Sequence, residues 1–227
     1  MKKAINYFTK FEWTLWSISI LCIIFSFIFF GQESYLELVA SLIGATSLIF
    51  CAKGNPFGNA LMIVFCILYA IISYSFRYYG ELLTYAGMSL PMAVFSLISW
   101  LRHPFDGKKS EVTVNTLTKK DIIQMIFFTV LVTIVFYFIL KYLNNANIIP
   151  STLSVTTSFA AVFLCYKRSP YFALVYAAND IVLIILWVMA AITDISYLSV
   201  IICFIVFLVN DLYGFFNWKK MQKNQQA

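Results

Sequence analysis

Eight apolar segments, each long enough to cross a lipid bilayer as a helix, dominate the sequence and limit what the chain can fold into. The hydrocarbon core of a membrane is about 30 Å thick, so a spanning helix needs about 20 mainly apolar residues. The chain is 62% hydrophobic and only 11% charged, an excess that a globular core of 227 residues cannot bury. We therefore predict an all-α integral membrane protein with eight transmembrane helices. The segments lie at about 13–30, 34–52, 57–77, 79–101, 121–143, 151–166, 170–193 and 196–218.

The first segment raises the question of a signal peptide, because lysines precede an apolar run. No small-residue cleavage site follows the run 13–30, and the run is long enough to span a membrane. We expect it to be a retained helix.

The basic residues between the segments predict how the helices are oriented. With eight helices, 14 of the 16 lysines and arginines fall on one side, and only Arg77 and Lys141 fall on the other. Positive charges are retained on the cytoplasmic side of membrane proteins. Both termini and the 102–120 loop are therefore expected in the cytoplasm. Since these charges form no patch or stripe, we expect no nucleic-acid partner.

Two short stretches that match each other indicate an internal repeat. FCAKGNPF (50–57) and LCYKRSPY (164–171) share the pattern apolar-Cys-x-Lys-x-x-Pro-aromatic, and the segments that follow both end on Trp and basic residues. The units 34–101 and 151–218 lie an even number of helices apart, so they would cross the membrane in the same direction. Parallel repeats of this kind occur in transporters, with the substrate site near the midplane at the repeat interface.

The repeat divides the chain into five parts. They are an N-terminal helix (1–33), a first three-helix repeat (34–101), a cytoplasmic loop and linker helix (102–150), a second three-helix repeat (151–218) and a cytoplasmic tail (219–227). Within the first repeat, Gly87 and Pro91 fall near the centre of a helix, where proline removes a backbone hydrogen bond. We expect a kink there; a static kink and a moving gate both fit the sequence.

The dipeptide Asn-Asp occurs twice inside apolar segments. Asp180 and Asp211 are the only two of the ten acids well inside the spans. A charge at the bilayer centre costs about 2.5–3.5 kcal/mol, so such groups normally face the protein interior or a water-filled cavity. One interpretation is structural, with hydrogen bonds that tie the two helices together. For Asn179 and Asn210 we favour ligand binding, because amides both donate and accept, and only one residue of each pair can face a cavity fully.

Aromatic side chains near these residues complete a candidate site. Trp187 lies two turns after Asp180, and Tyr213 lies one turn after Asn210. Aromatic walls combined with amides suit a flat heterocycle that carries a polar sugar. The candidate substrate-binding residues are Tyr176, Asn179, Asp180, Trp187, Asn210, Asp211 and Tyr213, with Asn59 and Tyr85 from the first repeat.

The sequence lacks the residues of a conventional enzyme or metal site. His103 is the only histidine, and neither an HExxH motif nor a Gly-rich phosphate loop is present. The five cysteines are scattered without CxxC spacing, as small buried hydrophobic residues would be. We expect no enzyme activity, no metal and no cofactor. A membrane receptor or scaffold is the alternative, although a scaffold has no need of two buried Asn-Asp pairs.

The sequence resembles the PnuC-type family of bacterial vitamin-precursor transporters, whose usual substrate is nicotinamide riboside. The similarity covers nearly the whole chain and is carried by FTKFEWTLW, YYGELLTY, NDIVLIILW and NDLYGFFNW. The resemblance implies a 3+1+3 fold akin to SWEET sugar transporters with an extra N-terminal helix, in a homotrimer surrounded by lipid in the bacterial cytoplasmic (inner) membrane. It also implies facilitated diffusion, with intracellular phosphorylation that traps the substrate for NAD biosynthesis.

The resemblance also bears on individual residues and on the ligand. Family sites place asparagines on the sixth and seventh core helices, a pattern that Asn179 and Asn210 match, with aromatic residues on both sides of the nicotinamide. Many relatives have tryptophans one turn apart where this chain has other aromatic residues. The base of the nucleoside-like substrate is therefore open, and sister groups handle thiamine and deoxynucleosides. A proton-coupled carrier with Asp180 or Asp211 as a relay is also open.

Overall fold

The computed structural model describes residues 7–30, 35–75, 79–145, 147–192 and 194–227. Within these ranges eight helices are long and apolar enough to cross a membrane, which confirms the number predicted from the apolar segments. They are α1 (Lys10–Phe30), α2 (Tyr35–Ala52), α3 (Pro56–Ser75), α4 (Tyr79–Arg102), α5 (Lys119–Tyr142), α6 (Ile148–Tyr166), α7 (Tyr171–Ala191) and α8 (Leu198–Gln226). Lys2, Lys3 and Arg77, which contribute to the charge count, lie outside the described residues, as do the expected helix ends at 34, 77 and 193.

The connections between the helices are short except after α4. There an antiparallel hairpin forms from β1 (Pro104–Phe105) and β2 (Lys108–Val112). A 3₁₀ turn (Ile195–Tyr197) precedes α8. The expected tail beyond 218 is helical, because α8 continues to Gln226, and the Gln225 side chain donates to Val112 O and Glu111 Oε1 beside the hairpin.

Helices α2 to α4 and α6 to α8 pack around the centre of the bundle. α8 packs along α7 and α2, α3 packs along α2 and α4, and α6 packs along α7 and α5. α1 packs against α2 and α8 on the outside. α5 is the most peripheral helix, with Leu140 as its one buried residue. A helix that is apolar all round and exposed suits a position facing lipid.

One end of the bundle, here called the basic end, contains Lys53, Arg102, Lys167, Arg168 and Lys219. The turns α2–α3 and α6–α7 lie at this end and have the same geometry. Each has a residue in the left-handed region, Gly54 with φ +65° in one and Arg168 with φ +56° in the other. The Gly54 N–H donates to Cys51 O and the Arg168 N–H to Cys165 O, each over 2.9 Å. The Cys-x-Lys-x-x-Pro sequence pattern thus corresponds to two turns with the same backbone conformation.

Two tryptophans close the basic end and bond reciprocally to these two turns. Trp100, near the end of α4, donates from Nε1 to Cys165 O over 2.9 Å. Trp218, on α8, donates from Nε1 to Cys51 O over 2.8 Å. Both are fully buried, and their ring centroids lie 5.2 Å apart.

The lysine of each turn forms an ion pair with an acid in the first turn of another helix. Lys53 Nζ lies 3.1 Å from Glu12 Oε1 on α1, and Lys167 Nζ lies 2.7 Å from Asp121 Oδ1 on α5. Both acids also take part in capping boxes, in which a threonine three residues earlier accepts from the acid's N–H and its own N–H donates to the carboxylate. An ion pair between a turn lysine and a capping-box acid therefore holds both α1 and α5 against the bundle.

α4 changes its helical register where the sequence predicts a distortion. Residues Leu83–Ser89 form a π-helical stretch, and the Leu90 N–H donates to Tyr85 O, five residues earlier. Because Pro91 has no N–H, the Gly87 carbonyl cannot receive its α-helical hydrogen bond. Helical segments of this type occur frequently at functional sites.

Candidate functional site

A cavity of about 530 Å³ lies between α2–α4 and α6–α8. It extends from the end of the bundle opposite the basic end, here called the distal end and formed by residues 143–145, 147 and the turn Ile195–Tyr197, to the depth of Asn59 and Asp211. None of the described residues of α1 lines it. Sites for small organic molecules usually measure about 300–1,000 Å³. The volume therefore suits a ligand the size of a nucleoside.

The structure brings most of the predicted site residues together at this cavity and places two elsewhere. Asn210 and Tyr213 do not line it. The predicted residues that do are Asn59, Tyr85, Tyr176, Asn179, Asp180, Trp187 and Asp211.

Asn179 is held in one orientation by hydroxyl groups of α6. Its Oδ1 accepts from Thr157 Oγ1 over 2.7 Å and from Ser158 Oγ over 3.2 Å, and the residue is only 6% exposed. Since the oxygen is occupied, the amide presents its Nδ2 donor for a further partner. The side chain is thus positioned to donate to an acceptor on a bound molecule.

Ser158 belongs to a hydroxyl face of α6 that the sequence-based site did not include. Ser151, Ser154 and Ser158 all line the cavity. Their spacing of three and four residues puts them on one side of a helix, and this signal was present in the sequence. Glu81, near the start of α4, also lines the cavity and was not among the predicted site residues.

The two aspartates lie against each other at the cavity wall, where α7 packs along α8. Asp180 is 4% exposed and Asp211 is 5% exposed. Their carboxyl groups are within hydrogen-bonding reach of each other. Asp180 Oδ2 is buried and has no hydrogen-bond donor. We expected the amides rather than the acids to face a cavity. On α8 the opposite holds, because Asp211 lines the cavity and Asn210 does not.

Asn210 faces α1 because it lies about 100° around α8 from Asp211. Its Nδ2 donates to Ser19 Oγ over 2.9 Å and to Val206 O over 2.8 Å. Tyr213, one turn further on, donates from its hydroxyl to Glu12 Oε1 over 2.8 Å. These two residues join α8 to α1, a structural role, although the structural interpretation had expected bonds between α7 and α8.

Aromatic rings stand on both sides of the cavity. On the first-repeat side, Tyr69 and Tyr85 have ring centroids 5.0 Å apart. On the other side, Trp187 and Tyr197 lie 5.2 Å apart at the distal end. Tyr176 is at the floor, where it lines the cavity and packs on the cluster that contains both buried tryptophans.

Asn59 contributes a polar group from α3 at the deep end. Its Oδ1 accepts a weak hydrogen bond from Cys165 Sγ at 3.6 Å, and its Nδ2 is buried with no partner. The residue is 3% exposed. Unpaired buried donors are uncommon in folded proteins, so this amide is available to a ligand.

The charged groups at the cavity are all acidic among its described lining residues. Glu81, Asp180 and Asp211 line it, and no Lys, Arg or His does. Over the described ranges no cluster of three or more His, Cys, Asp or Glu side chains is suited to hold a metal ion. The electrostatic character of the cavity therefore favours an uncharged or cationic molecule.

Comparisons with known proteins agree with this architecture. A family model described as nicotinamide mononucleotide transporter matches residues 34–220. The chain is similar to the nicotinamide riboside transporter PnuC of Neisseria mucosa, with 26% identity over 225 residues, 96% of this chain and 84% of the relative. It is also similar to the nicotinamide riboside transporter PnuC of Haemophilus influenzae, with 25% identity over 193 residues, 84% and 82% of the two chains.

A solved structure has the same fold. The crystal structure of the vitamin B3 transporter PnuC matches this chain with a TM-score of 0.80 and 24% sequence identity. The match covers 96% of this chain and 94% of the other.

Proposed function

The chain belongs to the nicotinamide mononucleotide transporter family, and from this premise we propose that it carries nicotinamide riboside across the membrane by facilitated diffusion. The observation that carries the proposal is a nucleoside-sized cavity, inside a bundle of apolar helices, that combines amides, hydroxyls and aromatic rings. Two relatives are named as transporters of this riboside. No enzyme activity is part of the proposal.

The cavity offers a partner for each part of such a ligand. The rings of Tyr85 and Trp187 provide flat apolar surface for the pyridine ring. The amides of Asn59 and Asn179 and the serine hydroxyls of α6 suit the ribose hydroxyls and the carboxamide, which need both donors and acceptors.

The acidic cavity favours the riboside over its phosphorylated form. A phosphate ester adds a charge of about −1.5 to −2 at neutral pH. In the cavity this charge would meet Glu81, Asp180 and Asp211, with no basic side chain among the described lining residues to offset it. Phosphorylation inside the cell would then trap the transported molecule without ion coupling, as the resemblance implies for NAD biosynthesis.

The proposal includes two parallel three-helix repeats, α2–α4 and α6–α8, linked by α5 in a SWEET-like 3+1+3 arrangement. The matched turns at Gly54 and Arg168 and the reciprocal bonds of Trp100 and Trp218 support it. The cavity lies between the two units. Movement of one unit against the other would open the tryptophan-closed end and close the distal end.

The same proposal places the basic end in the cytoplasm of a bacterial cell, with the chain in the inner membrane. The basic residues collected at this end support that orientation. The cavity would then be reached from outside the cell in the present conformation. We also propose a homotrimer, for which α5 offers long apolar surface to lipid or to a neighbouring subunit.

Uptake by purified protein in liposomes tests the proposal. Labelled nicotinamide riboside should enter down its own gradient, and ionophores that remove proton and sodium gradients should leave the initial rate unchanged. Dependence of the rate on an imposed proton gradient would favour a proton-coupled carrier, for which the contact between the two aspartates is the structural argument. A screen of thermal unfolding against nicotinamide riboside, its mononucleotide, thiamine and deoxynucleosides identifies the ligand, because binding raises the melting temperature.

A further inference from the structure

Asp180 and Asp211 are an unusual arrangement for the interior of a membrane protein, because the two acids lie against each other and no Lys, Arg or His is among the described residues that line their cavity. They come from different helices, α7 and α8, and each is at most 5% exposed. Two ionised carboxylates in contact repel each other strongly where little water is present. The arrangement is stable only when positive charge, a proton or another cation, accompanies the pair.

The described part of the chain does not supply this positive charge at the cavity. The described lining residues include no Lys, Arg or His, and the further charged residue among them is another acid, Glu81. The lysines of the two matched turns are engaged at the basic end, Lys53 with Glu12 and Lys167 with Asp121. The pair therefore faces the cavity without a counter-ion from the described chain.

Two buried polar atoms at the same cavity lack a partner within the described chain. Asp180 Oδ2 is buried and has no hydrogen-bond donor, and the Asn59 Nδ2 is buried and has no acceptor. Both residues line the cavity. Polar atoms buried without partners are destabilising. A ligand could bring an acceptor to Asn59 Nδ2 and positive charge to Asp180 Oδ2.

We propose that Asp180 and Asp211 form a cation subsite that holds the permanent positive charge of an N-glycosylated pyridinium ring. The identity of the ligand rests on the proposed function, whereas the subsite is argued from the cavity. A hydrogen bond between two carboxyl groups requires at least one proton, so the bonded pair carries at most a single net negative charge, and a cationic ligand would favour this charged form. This charge matches the single positive charge of nicotinamide riboside. The subsite would distinguish a charged pyridinium nucleoside from neutral nucleosides of the same size.

The test compares two ligands that differ mainly in ring charge. Nicotinamide riboside carries the positive charge, and its 1,4-dihydro form has the same ribose and carboxamide but a neutral ring. Calorimetry on the purified full chain should give a dissociation constant at least tenfold lower for the charged form. In Asp180→Asn/Asp211→Asn this preference should fall to less than threefold, with affinity for the neutral form within about threefold of the wild type.

Asp106→Asn is the matched control, because it removes one negative charge from an exposed residue between β1 and β2, outside the cavity. This variant should keep most of the preference for the charged ring. Equal binding of both forms to the wild type would overturn the subsite and leave the proposed function intact. An equal loss for both forms in the double variant would also overturn it, since that result indicates a structural role. If neither form binds the wild type, the proposed function fails together with the subsite.

Discussion

Replacement of Asn179 and Asn210 by alanine should have different consequences, although the sequence presents the two residues alike. Asn179 lines the cavity and Asn210 contacts α1. We expect Asn179→Ala to weaken the binding of nicotinamide riboside and Asn210→Ala to leave binding nearly unchanged. The second variant should instead lower the stability of the protein.

The magnitudes follow from the contacts of each side chain. In Asn179→Ala the hydroxyl of Thr157 keeps an acceptor, because it also lies 3.0 Å from Leu153 O, so the fold loses little. The ligand loses its partner in a buried site, at a cost of about 1–3 kcal/mol, which corresponds to about a 5- to 150-fold rise in the dissociation constant. Asn210→Ala removes the bonds to Ser19 Oγ and Val206 O, worth about 1–2 kcal/mol of stability.

Two measurements on the same preparations separate these effects. Calorimetry gives the dissociation constant, and thermal unfolding in detergent without ligand gives the relative stability. The two asparagines do not have these different roles if Asn210→Ala weakens binding as strongly as Asn179→Ala while the unfolding temperature stays unchanged. That result would mean that Asn210 turns into the cavity in the conformation that binds the ligand.

Three further predictions concern the basic end of the bundle and the π-helical stretch of α4. Lys53→Met leaves the nearly buried Glu12 carboxylate without its cation and should lower the free energy of unfolding by about 2 kcal/mol, less than for a fully buried pair because Lys53 is 18% exposed. Lys108→Met is the control: the ion pair of Lys108 with Asp106 is exposed and 4.0 Å long, so its loss should leave the unfolding temperature unchanged. Trp218→Phe keeps an aromatic ring but removes the hydrogen bond to Cys51 O, which weakens the closure of the basic end. Efflux of preloaded riboside from liposomes should therefore become faster, and an unchanged rate would argue against closure by the tryptophan pair. In Gly87→Ala the added methyl group meets no atom within 4 Å, so α4 should be stabilised by about 0.5–1 kcal/mol. If the π-helical stretch moves during transport, the variant should keep its affinity for the riboside but transport it more slowly. Undiminished transport would indicate a static distortion.

The number and positions of the helices could be predicted from the sequence because the bilayer imposes a simple requirement. A spanning segment must be long, apolar and bounded by polar residues, and each property is local. The paired turns were also visible as a repeated sequence pattern, and the register change in α4 coincides with Gly87 and Pro91. The residues of the candidate site could be chosen largely on the same basis, since a buried amide or carboxylate needs a polar environment.

Which polar residue faces which neighbour was decided only by the tertiary structure. Apart from a few polar residues such as Asn210 and Asp211, the membrane span of α8 is apolar all round, so its sequence carries no amphipathic pattern that tells how the helix is rotated about its axis. The rotation is set by packing against α2, α7 and α1, and it directs Asp211 to the cavity and Asn210 to Ser19. In a membrane the lipid-facing and the inward-facing sides of a helix can be equally apolar, so the sequence does not tell them apart. The sequence therefore determined where the helices lie along the chain, and only the contacts between helices determined which residues form the site.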